Sequence, residues 1–252
     1  MSREAFTETA ASFPEPFRLL IRESVESTND EVRVLAQAGA PDGLVLLAER
    51  QTAGRGRRGA AWFSPAGASL AFSILVRPDE PKALWPRLAL AAGLAVAEAV
   101  ESFGLQAGIK WPNDVWIGQR KVAGILVEAG SDFAVVGIGL NVNSTEFPPE
   151  LAEVATSLRL EASRDFSRAV VLGEIIRKFA GRRRQIGNDF DALISAVRLR
   201  CVLTGKRVTL TTANGARVGT VEGIADGGEL LLRTENGLER LIQADEVRLL
   251  PP

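Results

Sequence analysis

The chain has 252 residues, a 46% share of hydrophobic residues and a net charge of −1. That gives room for one domain of ordinary size and a small second one, at roughly 150 residues per domain, and offers no whole-molecule attraction for nucleic acid or an anionic membrane. It holds no histidine, no tyrosine and one cysteine, Cys201, which excludes Ser-His-Asp and Cys-His nucleophile systems, a histidine-bound zinc and an intrachain disulfide.

What chemistry remains must use carboxylates, lysines, arginines, amides and backbone dipoles, and this favours charge stabilisation and positioning over histidine acid–base work. The N-terminus lacks a basic start followed by an apolar run, so it does not read as a secretory signal. The stretch Leu88 to Val100 is short for a membrane span and contains Glu98. With a single cysteine, a soluble, cytoplasmic protein is expected.

In chain order, the segment up to about residue 20 reads as a short arm with turns at Pro14 and Pro16. Ser27, Thr28, Asn29 and Asp30 supply helix-capping side chains ahead of Val32, Leu35 and Ala36, and Gly39 with Pro41 closes a short helix. Leu44 to Ala48 reads as a buried strand, and Leu70 to Val76 alternates enough to be another. Pro86 suits the first turn of an Ala/Leu-rich core helix from about Leu84 to Phe103. Short strands are predicted around Ile109, Val115 to Ile117, Val122 to Glu128 and Phe133 to Leu140. Helical segments follow at Leu151 to Leu158 and at Arg168 to Phe190, continuing to about Leu203.

After Gly205 short apolar runs alternate with Asn214-Gly215, Asp226-Gly227-Gly228 and Asn236-Gly237, which is hairpin-turn chemistry. The expected fold class is α+β: a mixed β-sheet with packed helices over residues 1–204, then a small β barrel or sandwich over 205–252.

Chemistry concentrates in a few segments. Gly54-Arg55-Gly56-Arg57-Arg58-Gly59 formally satisfies GxGxxG. That fingerprint needs a helix to open at its last glycines. Here Trp62-Phe63-Ser64-Pro65 and a strand follow, so a dinucleotide fold is rejected, and the lack of Gly-Lys-Ser/Thr rejects a Walker loop. Glycines allow close backbone approach to a ligand and arginine forks satisfy phosphate oxygens, so the loop suits an anion. A solvated surface loop would have a similar composition.

Lys110-Trp111-Pro112-Asn113-Asp114 precedes Arg120-Lys121-Val122-Ala123-Gly124-Ile125-Leu126. Pro112 keeps Trp111 out of helix and Asn113-Asp114 suits a tight turn. On geometry alone this is a strand–turn–strand with Trp111 in the core. Lys121 opens an apolar strand and either enters a pocket or marks an edge. Gly137 and Gly139, in the run ending at Asn141 and Asn143, permit close approach of a ligand or a neighbouring backbone. Asp114 and Glu128 read as turn and strand-end residues rather than an acid–base pair, and Arg182 to Arg184 as a solvated helix face.

Taken in this order, the segments from about Ser24 to Asn143 resemble the biotin–protein ligases, and the C-terminal β domain stands where that family has an SH3-like barrel. The resemblance implies a class II aminoacyl-tRNA-synthetase-like catalytic domain. It also implies an ATP-dependent ligase that makes biotinyl-5′-AMP from biotin and Mg-ATP, then passes biotin to a lysine of biotin carboxyl carrier protein of acetyl-CoA carboxylase. Ser27, Thr28, Asn29 and Gln51 would hydrogen-bond the ureido head of biotin, with Gly54, Arg55, Gly56 and Gly124 enclosing it. Arg57 and Lys121 would be catalytic, gripping the reacting carboxylate and α-phosphate. Arg58, Trp62, Lys110, Asn113 and Asn141 would serve the nucleotide, Trp62 near adenine and Asn141 on the base.

No protein ligand for magnesium is assigned; the ion would be held by phosphates and water. The 54–59 loop is expected to be mobile until biotin or the adenylate orders it. Regulatory relatives carry an N-terminal winged helix-turn-helix domain, for which too few residues precede Ser27, so no DNA partner and no membrane partner are expected. Ala60 stands where relatives often have another basic residue. Monomer and homodimer both remain open. Lipoate–protein ligase, with related two-step chemistry, and a non-catalytic biotin- or nucleotide-binding regulator are the competing readings.

Overall fold

The computed structural model describes residues 3–212 and 215–250. Its larger sheet contains β1 (Arg18–Val25), β2 (Leu44–Gln51), β3 (Ser69–Val76), β4 (Ala107–Lys110), β5 (Asp114–Ile117), β6 (Arg120–Ala129) and β7 (Ala134–Asn141), in the order β1-β2-β3-β7-β6-β5-β4. β1 and β2 are parallel and the other pairs antiparallel. A parallel pair needs a crossover, which α2 (Thr28–Gln37) supplies by packing on β2, β3 and β7.

Every residue of β3 is buried, so the sheet is covered on both faces. Side chains alternate with a period of two: Leu70, Phe72, Ile74 and Val76 join the main core under α3 (Arg87–Ser102) and α5 (Arg168–Asn188), while Leu75 joins Val32, Ala36, Leu46, Phe133 and Val135 under α2. Ser73 falls on the α2 face, and so do Gly137 and Gly139 of β7 by the same alternation.

Three sequence expectations change. The N-terminal arm is a helix, α1 (Arg3–Ala10), because Phe6 supplies a fully buried anchor against the core. Residues 151–154 are turns and 155–157 a bridge and extended link rather than helix, and α4 spans Leu158–Ala162. Their backbone is needed elsewhere: the Lys121 N–H donates to Val154 O at 2.8 Å and the Thr156 N–H to Lys121 O at 2.9 Å. Finally, the apolar helical stretch runs from Lys82 to Ser102, long enough by length and composition for a bilayer. Of its most apolar window, 67% is already buried within the protein, as suits a core helix.

α6 (Phe190–Arg200) leads into the second sheet, β8 (Arg207–Thr212), β9 (Gly215–Ile224), β10 (Leu230–Thr234), β11 (Gly237–Leu241) and β12 (Glu246–Leu249), all antiparallel in the order β11-β10-β9-β8-β12. Gly237 takes φ +118 as the first residue of β11, so the turn after β10 centres on Glu235 and Asn236, one residue before the predicted Asn236-Gly237 centre. Asn214, of the first predicted turn, lies outside the described residues. The two sheets are stitched together at Val202, whose N–H donates to Ile109 O on β4 at 3.0 Å, and at Trp111, whose Nε1 donates to Gly228 O at 3.0 Å.

Candidate active site

A cleft of about 450 Å³ opens on the α2 face of the large sheet, between the N-terminus of α2, the glycine–arginine loop, β6, β7 and the segment leading into β12. Its floor is bare backbone. Gly124 and Gly139 sit opposite each other on β6 and β7, and the Trp62 indole lies across them: a Cβ on Gly139 would come within 2.2 Å of the ring. Gly137 is roofed in the same way by the Asn29 amide, 2.2 Å from where its Cβ would stand. Side chains at these positions would displace Trp62 and Asn29. Trp62 Nε1 is buried and, among the described residues, has no hydrogen-bond partner.

At one end the polar side chains form a connected set. The Thr28 N–H donates to Gln51 Oε1 at 2.8 Å, and Ser73 Oγ lies 2.7 Å from Thr28 Oγ1 and 2.6 Å from Asn29 Oδ1. Asn29 Nδ2 donates to Glu128 Oε2 at 2.7 Å. Ser27, Thr28 and Asn29 are all buried, because they form the first turn of the crossover helix. The Ser27 side chain makes no helix-capping hydrogen bond, so its predicted cap role is not taken up.

At the other end are cations. Lys121 Nζ stands 2.7 Å from Asp114 Oδ1 and 5.5 Å from the centre of the Trp62 ring. Lys110 lies over Trp116 at 4.6 Å. Burial holds the Lys110 ammonium below the ordinary lysine pKa, with Asp114 drawing it part of the way back and Lys121 pushing it further down. Burial likewise works against the Arg57 charge, which Asp114 supports and Arg58 opposes. Asp114 is thus the counter-charge that Arg57, Lys110 and Lys121 share. Bringing an anion among these cations would relieve their repulsion.

Each arginine of the loop has a protein partner. Arg55 grips Asp30 through two hydrogen bonds of 2.5 and 2.7 Å, which holds the Asp30 carboxyl below its usual range. Arg57 donates to Asn113 Oδ1 at 3.0 Å and to Ala244 O at 2.6 Å. Arg58, at φ +57, pairs with Asp245. The loop therefore leans on the C-terminal module, although these arginines could exchange those partners for a ligand.

Most of the residues singled out from sequence meet in this one cleft. Gly54 is set back from it, packed where a Cβ would lie 2.8 Å from Gln51 Nε2. Asn141 does not line it: although on the same face of β7 as Gly137 and Gly139, its side chain is buried and its Nδ2 donates to Thr156 O at 3.0 Å. Sequence reasoning missed Ser73, Glu128 as more than a strand end, and Ala244 to Val247. A hydroxyl inside the apolar strand Leu70–Val76 was the one available signal for Ser73; nothing in the sequence marked Ala244. Among the described residues no group of three or more acidic, cysteine or histidine side chains could hold a metal.

Known proteins share this arrangement. Residues 21–143 match the biotin/lipoate A/B protein ligase family, and residues 203–247 the biotin protein ligase C-terminal domain. The chain is 36% identical over 236 residues to a bifunctional ligase/repressor BirA of Bacillus spizizenii, covering 90% of this chain and 73% of that protein. It is 39% identical over 213 residues to a biotin–[acetyl-CoA-carboxylase] ligase of Mycobacterium tuberculosis, covering 82% and 79%. The biotin protein ligase of Aquifex aeolicus solved with biotin and ATP superposes with a TM-score of 0.84 at 32% identity, over 92% of this chain and 99% of that one. The fold and cleft are those of an enzyme of the ligase class. Within that class the chain belongs to the biotin protein ligases.

Proposed function

We propose that this protein is an ATP-dependent biotin–[acetyl-CoA-carboxylase] ligase, with residues 1–204 as catalytic domain and 205–252 as an SH3-like barrel. The observation that carries this reading is the juxtaposition of a buried polar pocket at Thr28 and Gln51 with the cations Arg57, Lys110 and Lys121 along one cleft. The pocket suits a neutral, hydrogen-bonding ring; the cations suit a carboxylate meeting a triphosphate.

A biotin carboxylate oxygen attacks the α-phosphorus of ATP, the bond to the β-phosphate oxygen breaks, and pyrophosphate leaves. The acceptor lysine's neutral amine then attacks the acyl carbon of biotinyl-5′-AMP, forming the amide and releasing AMP and a proton. Lys121 and Arg57 stabilise charge on the α-phosphate and carboxylate, and their placement does the work that acid–base residues do elsewhere. Arg58, Lys110, Asn113 and Trp62 serve the nucleotide, with Asn141, bonded to Thr156 O, supporting that side. Magnesium enters with ATP, held by phosphates and water. The mixed anhydride is open to hydrolysis, which gives the loop its purpose as a cover.

The acceptor is the biotin carboxyl carrier protein of acetyl-CoA carboxylase and the setting is the cytoplasm. The chain acts as monomer or homodimer, without nucleic-acid or membrane partners, for which its net charge of −1 offers no broad field.

ATP–pyrophosphate exchange with biotin, lipoate or neither tests the reading. Exchange that needs biotin and ignores lipoate is expected. Exchange with lipoate alone moves the protein to the lipoate ligases, and none with either, from folded protein that binds biotin, makes it a regulator.

The depressed Lys110 pKa adds a pH signature. A triphosphate beside Lys110 raises that pKa, so nucleotide binding takes up a proton once the free ammonium has begun to titrate. The KM for ATP is expected to stay flat at neutral pH and rise as pH climbs through the depressed value, below the 10.5 of an ordinary lysine. Lys110→Arg, whose charge persists, should shift that rise upward. A variant profile superimposable on the parent's would remove Lys110 from the nucleotide site.

A further inference from the structure

We infer that Ser73 and Glu128 are positioning residues that set the hydrogen-bond polarity of the pocket toward a cyclic urea. The inference rests on the biotin reading above.

Glu128 ends the chain of contacts. Its Oε1 faces Arg33 at 2.9 Å and Arg55 at 3.8 Å, and its Oε2 accepts from Asn29 Nδ2. A carboxylate so paired only accepts, so the Asn29 amide must turn its NH₂ toward it, with Leu126 O as a second acceptor at 3.4 Å. That orientation aims Asn29 Oδ1 at Ser73 Oγ, 2.6 Å away. An amide oxygen cannot donate, so the single Ser73 proton goes to it. The 2.7 Å approach of Ser73 Oγ to Thr28 Oγ1 then needs the Thr28 proton between them. Every proton in the relay therefore points away from the cleft, toward Glu128.

Two consequences reach the ligand side. Thr28, its proton committed to Ser73, offers the cleft lone pairs only. Gln51, which lines the cleft, has its Oε1 held by the Thr28 N–H, so its Nε2 is the end left over as a donor. The 3.1 Å separation of Thr28 Oγ1 from Gln51 Oε1 is then a contact without a proton of its own. A cyclic urea presents N–H donors beside a carbonyl acceptor, the complement of acceptor Thr28 and donor Gln51. In the sequence Ser73 is one hydroxyl in an apolar strand and Glu128 a strand-end carboxylate; only the fold joins them.

The test uses the full chain in biotin-dependent ATP–pyrophosphate exchange, comparing biotin with its cyclic-carbamate analogues, in which either ureido N–H is replaced by oxygen. Such an analogue sets an oxygen against the Thr28 lone pairs. In the parent protein, biotin is expected to be preferred over at least one isomer by about a hundredfold or more in kcat/KM.

Ser73→Ala frees the Thr28 hydroxyl to rotate and donate. The biotin KM is then expected to rise about tenfold, the value for one buried hydrogen bond, with kcat and the KM for ATP within about twofold. Preference for biotin over the carbamate is expected to fall at least as far. Glu128→Gln, at the half-buried end of the relay, lets the Asn29 amide turn over and is expected to lower the same preference. If both variants keep the parent's preference while losing affinity for biotin and analogue alike, the side chains are merely structural and the inference fails. A parent protein without biotin-dependent exchange overturns the biotin reading itself, a result distinct from an active parent with unaltered variants.

Discussion

Lys121→Ala is expected to slow biotin-dependent ATP–pyrophosphate exchange by about 10²–10³-fold, the range for deleting one preorganised charge stabiliser in a water-poor site. Lys121 is held from several directions. Its backbone bonds to Val154 and Thr156 on one side, and its ammonium reaches Asp114 and lies over Trp62. A lysine fixed this way need not reorganise when charge builds up on the α-phosphate. The deletion also strips Asp114 of its nearest cation, leaving a carboxylate to repel the incoming phosphates.

Lys121→Ala combined with Asp114→Asn is therefore expected to recover part of the lost rate, since neighbouring charges are not additive. Equal rates in single and double variants would show Asp114 to be a bystander. Exchange by Lys121→Ala within about threefold of the parent, far short of the range above, would remove Lys121 from the chemistry.

The second large effect concerns fidelity. Arg57→Gly is expected to retain part of the adenylation while releasing biotinyl-5′-AMP before the acceptor arrives. Arg57 bridges Asn113 in the turn between β4 and β5 and Ala244 near β12, so it can hold the intermediate and the cover together. Charge-assisted hydrogen bonds contribute about 1.5–3 kcal/mol each, which corresponds to escape faster by about ten- to a hundredfold. Biotin attached to lysines of unrelated proteins in a mixed-protein assay should rise by a comparable factor. Unchanged off-target labelling, from a variant that still exchanges pyrophosphate, would mean that Arg57 does not retain the adenylate.

Local chemistry explains which parts of this molecule were readable beforehand. The strands β2, β3, β6 and β7 and the helices α2, α3 and α5 follow from apolar periodicity, which each segment carries within itself. The glycine–arginine loop stands out by composition, whereas Lys121, open between pocket and edge on local chemistry, takes a role only from the resemblance. By contrast, α1 depends on Phe6 finding a distant core, and residues 154–156 leave helix because Lys121 needs backbone partners. Tertiary demand overrides propensity in both places. Asn141, assigned to the base by the resemblance, shares the α2 face of β7 with Gly137 and Gly139, yet the 155–157 segment covers it and its amide is held by Thr156 O. Ser73 and Glu128 acquire meaning only when β3 and β6 converge on the first turn of α2.

The hold of Arg57 on Ala244 spans 187 residues of chain, and this has a temporal side. During synthesis the glycine–arginine loop leaves the ribosome early, and every strand of the large sheet is available well before Ala244 exists. A nascent chain can therefore build the pocket floor while its cover still lacks the post against which it rests. On the role proposed for Arg57, capacity to guard a reactive anhydride would arrive only with the last stretch of translation, and an abortive fragment that retained the sheet would lack the means to confine what it activated.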